Sequence, residues 1–448
     1  MNQKIDIESE KRSVTMKIIN GTYIDPIKNE MVKKDIEISD VNAADSVAVN
    51  SEEKNELIID ATGLMIAPGL VDTHSHFRDP GYTYKEDILS GAEAAKAGGY
   101  TDIVLMANTN PKVDNPDTLK YVLEKGNSTD INIFSCANVT MNMEGKVLTD
   151  MENLLKEGAV GFTDDGVPLM DEKVAYEAMK TAAKLGVPIS FHEENPTLIG
   201  NNGVNRGKAS EYYKISGSPR EAEVDLIKRD IEIALRIVEE IAISPKIVIQ
   251  HISTKEGVDL VRQAKKEGLD VHAEATPHHF SLTEEAVIEH GTMAKMNPPL
   301  RTEEDRLAIL EGLKDGTIDL IATDHAPHSA EEKSQDITKA PSGIIGLETA
   351  LSLSIKNLVE PGVLTYPELF MKISVNPASL YGLREDKEYT EFKNLVIFDP
   401  NEEKIYDHFT SKSQNSPFVG AKLPGTVKYT ICNGIIRYSH IFGKEIRC

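Results

Sequence analysis

The run DTHSHFRDPG, residues 72–81, sets His74 and His76 two positions apart and follows them with Arg78. On a strand, positions i and i+2 face the same way, so a strand ending here aims both imidazoles at one place. Further along, apolar runs end on Asp164 and Asp165 (GFTDDG), His192 (VPISFH), His251 (KIVIQHIS) and Asp324 (TIDLIATDH). Imidazole and carboxylate donors without thiolate suit Zn²⁺, with Mn²⁺, Co²⁺ or Fe²⁺ as substitutes. Four imidazoles and two or three carboxylates exceed what one tetrahedral ion takes and suit two ions sharing a bridging group. Two divalent ions lower the pKa of a water between them and polarise a carbonyl oxygen, which is equipment for breaking or forming an amide. Arg78 adds a planar fork that grips a carboxylate in bidentate fashion.

Separate elements must carry these residues to one rim. Eight short apolar runs, GLVDTHSHF, YTDIVLMAN, INIFSCANV, AVGFTDD, VPISFH, KIVIQHIS, LDVHAEAT and TIDLIATDH, alternate with amphipathic helical patterns. That alternation predicts βαβ units and a parallel sheet. Eight units in about 250 residues fit a (β/α)₈ TIM-like barrel, with a doubly wound open sheet as the alternative. The barrel is preferred because the reactive residues end strand after strand, where barrel active sites assemble. In SPREAE, Ser218, Pro219 and Glu221 predict a capped helix start.

Residues 1–15 read as a polar tail. Residues 16–67 carry short strand-like pieces broken by the stretch DVNAADSVAVNSEEKNE, expected to be a solvated loop. After the barrel segment, residues 68–380, strand patterns return over residues 381–448. The two terminal groups are expected to join as a small β-sandwich domain in an α/β protein, with REDKEYTEF on its solvated surface. The polar segment SAEEKSQDITKAPSGIIGLE, after His328, is long for a βα connection and is a candidate lid; Gly343 and Gly346 in it allow close backbone approach or supply turn geometry.

The 448 residues carry a formal charge of −23, which argues against a nucleic-acid footprint or an anionic membrane surface. Three unpaired-looking cysteines, Cys136, Cys432 and Cys448, indicate neither a disulfide framework nor a thiolate metal site. No stretch reaches the ~20 apolar residues of a membrane span, and the N-terminal residues lack a signal-like apolar run. A cytoplasmic protein is expected.

The ordered motifs DTHSHFRDPG, MANTNP, GFTDDG, ATPHHF, MNPPLR, TDHAPH and GIIGLET together resemble the dihydroorotases of the amidohydrolase superfamily, specifically the longer, class I bacterial type. The resemblance runs from about Met16 to Gly434. It implies reversible cyclisation of N-carbamoyl-L-aspartate to L-dihydroorotate in pyrimidine biosynthesis. By that resemblance His74 and His76 would hold the more buried zinc ion, with Asp324 ligating it, and His192 and His251 would hold the second. Many relatives bridge the ions with a carbamylated lysine, which GFTDDG lacks; Asp165 is assigned as the bridge, with Asp164 the competing choice. His278 and His279 are expected outside the ligand set. Asp324 would also shuttle the proton. Arg78, Asn108 and His328 would hold the substrate carboxylate, and Asn297 would contact the ring. The resemblance further implies a homodimer and an association with aspartate carbamoyltransferase. An allantoinase or hydantoinase, or an inactive scaffold subunit that should have lost ligands, are the rival readings.

Overall fold

The computed structural model describes residues 13–42, 56–384 and 391–440. Eight parallel strands form its centre: β1 (Leu70–Ser75), β2 (Tyr100–Leu105), β3 (Asn132–Ser135), β4 (Phe162–Thr163), β5 (Pro188–Phe191), β6 (Lys246–Ile249), β7 (Val271–Ala275) and β8 (Leu320–Ile321). β1 to β3 pair in order, as do β4 to β8. Two parallel bridges, Ala137 with Phe162 and Ser75 with His325, join the two groups into a closed ring. All eight strands expected from the sequence are present, and the closure decides for the barrel over the open sheet. Continuous apolar runs make sense here, because helices cover the outside and side chains fill the inside.

The polar residues of β1 follow the same logic. Asp72, Thr73, His74 and Ser75 are all fully buried. Asp72 accepts from Ser75 Oγ at 2.6 Å and from Thr323 N at 2.9 Å, so the seam between first and last strands is hydrogen-bonded across 251 residues of chain. A helix such as Glu172–Leu185 shows how the outer layer is set. Asp171 accepts from Lys173 N and Val174 N at its start, and Gly186 ends it at φ +72°, where a side chain is disfavoured.

One helix start differs from expectation. The helix Glu221–Ile241 begins after Arg220 with no side-chain cap. Ser218 instead donates its hydroxyl to Glu194 Oε1 at 3.3 Å, while its backbone bridges to Asn205. A buried carboxylate needs donors, and it took the serine that the local pattern assigned to the helix.

The terminal segments build two further sheets. One holds Ile36–Asn42, Ser13–Ile19 and Glu56–Asp60. The other orders Ile435–Ser439, Lys422–Cys432, Leu395–Ile405, Met65–Pro68, Thr22–Asp25 and Glu30–Lys33, so residues from both ends share it. Met16, Ile18, Ile38, Ile59, Ile66, Ile397 and Ile431 pack between them as a β-sandwich core. Of the stretch expected as a solvated loop, Asp40–Asn42 and Glu56 lie in strands and 43–55 fall outside the described residues. Of REDKEYTEF, 385–390 fall outside them, and Arg384 is not solvated. Its side chain is 2% exposed and donates to Gly69 O at 3.0 Å and Thr101 Oγ1 at 2.6 Å, with Asp102 as its ion-pair partner. No described helix is long and apolar enough to cross a membrane.

Candidate metal centre and substrate cavity

The C-terminal ends of β1, β4, β5, β6 and β8 bring His74, His76, Asp165, His192, His251 and Asp324 into one buried cluster. Two groups there have ligand atoms close enough to hold an ion: His74, His76 and Asp165, and Asp165, His192 and His251. Asp165 belongs to both. Its Oδ1 lies 3.4 Å from His74 Nε2, 3.7 Å from His192 Nδ1 and 3.8 Å from His251 Nε2, and its Oδ2 lies 3.4 Å from His76 Nε2. Asp324 Oδ1 stands 3.0 Å from His76 Nε2 and 3.6 Å from His74 Nε2. Asp164 is occupied elsewhere, accepting from Asn138 Nδ2, Val139 N and the backbone and hydroxyl of Thr140.

Electrostatics around Asp165 keep the carboxylates of the cluster ionised. Burial alone would raise its carboxyl pKa, but His74, His192 and His251 hold it well below the usual carboxylate range. Burial opposes charge on His192, yet Asp165 and Glu194 lift its pKa to about 10. His74 is lifted well above its ordinary value against the same burial, by Asp165 and Glu274. Burial would raise the carboxyl pKa of Asp324 too, but His76, His74 and His251 hold it well below the usual carboxylate range. The donor set fits divalent metal on a further ground: His192 Nδ1 and His251 Nε2 face each other at 2.9 Å, and buried His74 Nε2 has no hydrogen-bond partner among the described residues. Imidazole nitrogens and carboxylates crowded together in this way are well satisfied by a common cation, which would take the place of the protons the rings hold without it.

Backbone geometry at the rim is unusual. Arg78, His251 and Asp324 have φ values of +59°, +34° and +48°. Non-glycine residues there cost on the order of 1–3 kcal/mol each and persist where the surrounding structure enforces them.

Beside the cluster lies a cavity of about 180 Å³ lined by His76, Arg78, Asn108, Asn297, Asp324 and His328, among others. It meets a second of about 340 Å³ at Gly166, His192 and Asn297. Arg78 is half-buried and donates through Nε to Pro327 O at 3.3 Å. Its other guanidinium N–H groups have no hydrogen-bond acceptor among the described residues, which leaves the fork free for a ligand. Asn108 lines the same cavity, but its amide is engaged: Oδ1 is 3.1 Å from His76 Nδ1 and Nδ2 donates to Asp165 Oδ2 at 3.1 Å. It orients two cluster residues at once. His328 Nε2 donates to Ser342 O at 2.8 Å, and burial together with Arg78 and Lys85 drives its pKa down to about 2, so the ring is neutral. His278 and His279 are buried outside the cluster, His279 bonding Thr276 and Pro298 O. Gly343, at φ +124°, comes so close to Ala326 that a Cβ would sit 2.7 Å from its side chain.

Three residues at the site escaped sequence reasoning. Glu274 Oε2 lies 3.0 Å from His74 Nδ1, and Glu194 Oε2 lies 3.2 Å from His192 Nε2. Both carboxylates grip the far nitrogen of an imidazole and set its orientation. An acid inside the apolar run LDVHAEAT was the available signal for Glu274, because a buried carboxylate requires a partner. Asn415, from the C-terminal segment, accepts from His328 N at 3.0 Å and donates to Ala326 O and Gly343 O; nothing in its sequence context marks it.

A family model described as Dihydro-orotase-like matches residues 63–257. The chain is 52% identical over 423 residues to a dihydroorotase of Clostridioides difficile, covering 94% of this chain and 99% of that one. It is 47% identical over 427 residues to a dihydroorotase of Clostridium acetobutylicum, with 94% and 99% covered. Among solved structures, an L-hydantoinase from Arthrobacter aurescens superposes with a TM-score of 0.80 at 24% identity, over 95% of this chain and 96% of that one. That likeness speaks for the fold alone. The near-full-length identity to the two clostridial proteins says more: this chain belongs to the dihydroorotase family.

Proposed function

We propose that this protein interconverts L-dihydroorotate and N-carbamoyl-L-aspartate as the dihydroorotase of pyrimidine biosynthesis, with the cluster around Asp165 holding a pair of zinc ions. The observation that carries the reading is the free guanidinium fork of Arg78 opening into the same cavity as the doubly shared Asp165. Hydantoins lack the carboxylate that such a fork selects.

His74, His76 and Asp324 would hold one ion, His192 and His251 the other, with Asp165 between. When bound, such ions acidify a water and polarise the carbonyl under attack. The chain's own groups do the rest. Arg78 fixes the substrate carboxylate, and Asn297 meets the ring. Asp324, ionised and at the cavity wall, accepts a proton from the attacking water as its oxygen adds to the ring carbonyl. The same carboxyl then delivers that proton to the amide nitrogen as the carbon–nitrogen bond breaks. Ring closure is this sequence reversed, with water released.

Zinc is the proposed metal because thiolate-free imidazole and carboxylate donors suit it. A homodimer in the cytoplasm, associated with aspartate carbamoyltransferase, completes the proposal; sedimentation and co-elution with the carbamoyltransferase test it. The central experiment is elemental analysis of freshly purified protein with assays in both directions, before and after chelation. Loss of activity on chelation and recovery with divalent metal are expected. Faster turnover of hydantoin or allantoin than of dihydroorotate would reassign the substrate, and metal-replete protein with no turnover in either direction would favour a scaffold.

A further inference from the structure

The polar segment after His328 encloses two lysine amines. Lys295 and Lys333 are each 2% exposed, and neither has an ion-pair partner among the described residues. A buried cation is costly unless its N–H groups are satisfied. Here every acceptor is a backbone carbonyl. Lys333 Nζ donates to Pro341 O and Gly343 O, both at 3.0 Å, and to Lys295 O at 3.4 Å. Lys295 Nζ donates to Ile337 O at 2.8 Å and Ala340 O at 2.6 Å. Gly343 N returns a bond to Lys295 O at 2.9 Å.

Carbonyls on a surface segment are ordinarily satisfied by water, and an apolar side chain would fill the same space without stranding a charge. What two buried amines, each donating to several carbonyls, achieve that neither alternative does is to fix the path of the backbone over 337–343. That backbone reaches the substrate cavity through Ser342 and Gly343, and Ser342 O is the acceptor that orients His328. The expected lid is therefore tethered from beneath. Resting on the dihydroorotase reading, we propose that Lys333 and Lys295 are positioning residues, which set recognition of the cyclic substrate by holding 337–343 as a fixed wall of its cavity.

The test compares Lys333→Met, Lys333→Arg and Lys295→Met in the full-length, metal-loaded protein. For the Met variants KM for dihydroorotate should rise roughly tenfold while kcat stays within about threefold, and bound metal should be unchanged. Amide hydrogen exchange over 337–346 should quicken, and Lys333→Arg, which retains donors, should restore part of both effects. Unchanged exchange there, or a lower melting temperature with KM unmoved, would overturn the proposal in favour of ordinary packing. If Lys333→Met does not fold, Lys295→Met and Lys333→Gln carry the same comparison. Should the wild-type protein fail to turn over dihydroorotate, the functional reading falls, whereas the exchange measurement still decides whether these lysines hold the wall.

Discussion

Glu274 Oε2 and His74 Nδ1 stand 3.0 Å apart in the middle of the barrel, both fully buried, and this contact turns the other nitrogen of His74 toward Asp165. Thr73 Oγ1 steadies the same carboxylate at 3.1 Å. Removing the charge while keeping the shape should loosen metal without unfolding the chain. Glu274→Gln is expected to weaken metal affinity by roughly ten- to a hundredfold. Chelator competition reads the affinity and circular dichroism the fold; wild-type affinity in the variant would deny Glu274 this role.

Asp324→Asn removes the proposed proton carrier but retains a similar volume. Turnover should fall by roughly 10²–10⁴-fold. Substrate binding, followed by calorimetry, should survive, and near-native turnover would refute the assignment.

Arg78→Ala should raise KM for dihydroorotate by roughly ten- to a hundredfold, in line with the ~1.5–3 kcal/mol of a hydrogen bond to a charged group. Arg78→Lys should recover little, because an ammonium lacks the planar fork. A cyclic amide without a carboxylate should lose much less, and an equal loss on both substrates would count against the role.

At the opposite end of the barrel, His272 lies between Asp270, at 3.0 Å, and Asp319. Burial opposes its charge, but the two carboxylates raise its pKa to about 9 from an ordinary 6.5. Between those values the folded chain binds more protons than the unfolded one, so this contribution to stability falls as pH rises. It is complete below about pH 6.5 and gone above about pH 9. His272→Gln should therefore cost on the order of 2 kcal/mol near pH 6 and little near pH 9.5, as read by urea unfolding. A cost independent of pH would contradict the ion-pair account.

Much of this arrangement was readable in the chain because it rests on local signals. Each barrel strand is a short apolar run with its reactive residue at the end, so β1 announced His74 and His76, and β8 announced Asp324. What stayed hidden depends on partners distant in sequence. Asp164 and Asp165 are equivalent as letters, and only the Thr140 turn, which captures Asp164, separates them. Ser218 carried a helix-start pattern but serves Glu194, and Arg384 sat in a charge-rich run yet pairs with Asp102 under the barrel. Asn108 lines the cavity where it was expected to hold substrate, and the bonds of its amide to His76 and Asp165 are a further contact that no local signal carried.

The ring of strands closes where Ser75 meets His325, and the sheet beside it takes Met65–Pro68 from one end of the chain and Leu395–Ile405 from the other. During synthesis, His74 and His76 emerge long before Asp324 exists to face them. Until the last strands leave the ribosome, the early imidazoles have only a partial set of neighbours, and long-range pairing of this kind is slow to form. A nascent or truncated chain is therefore expected to be chemically silent, so activity reports on a finished polypeptide.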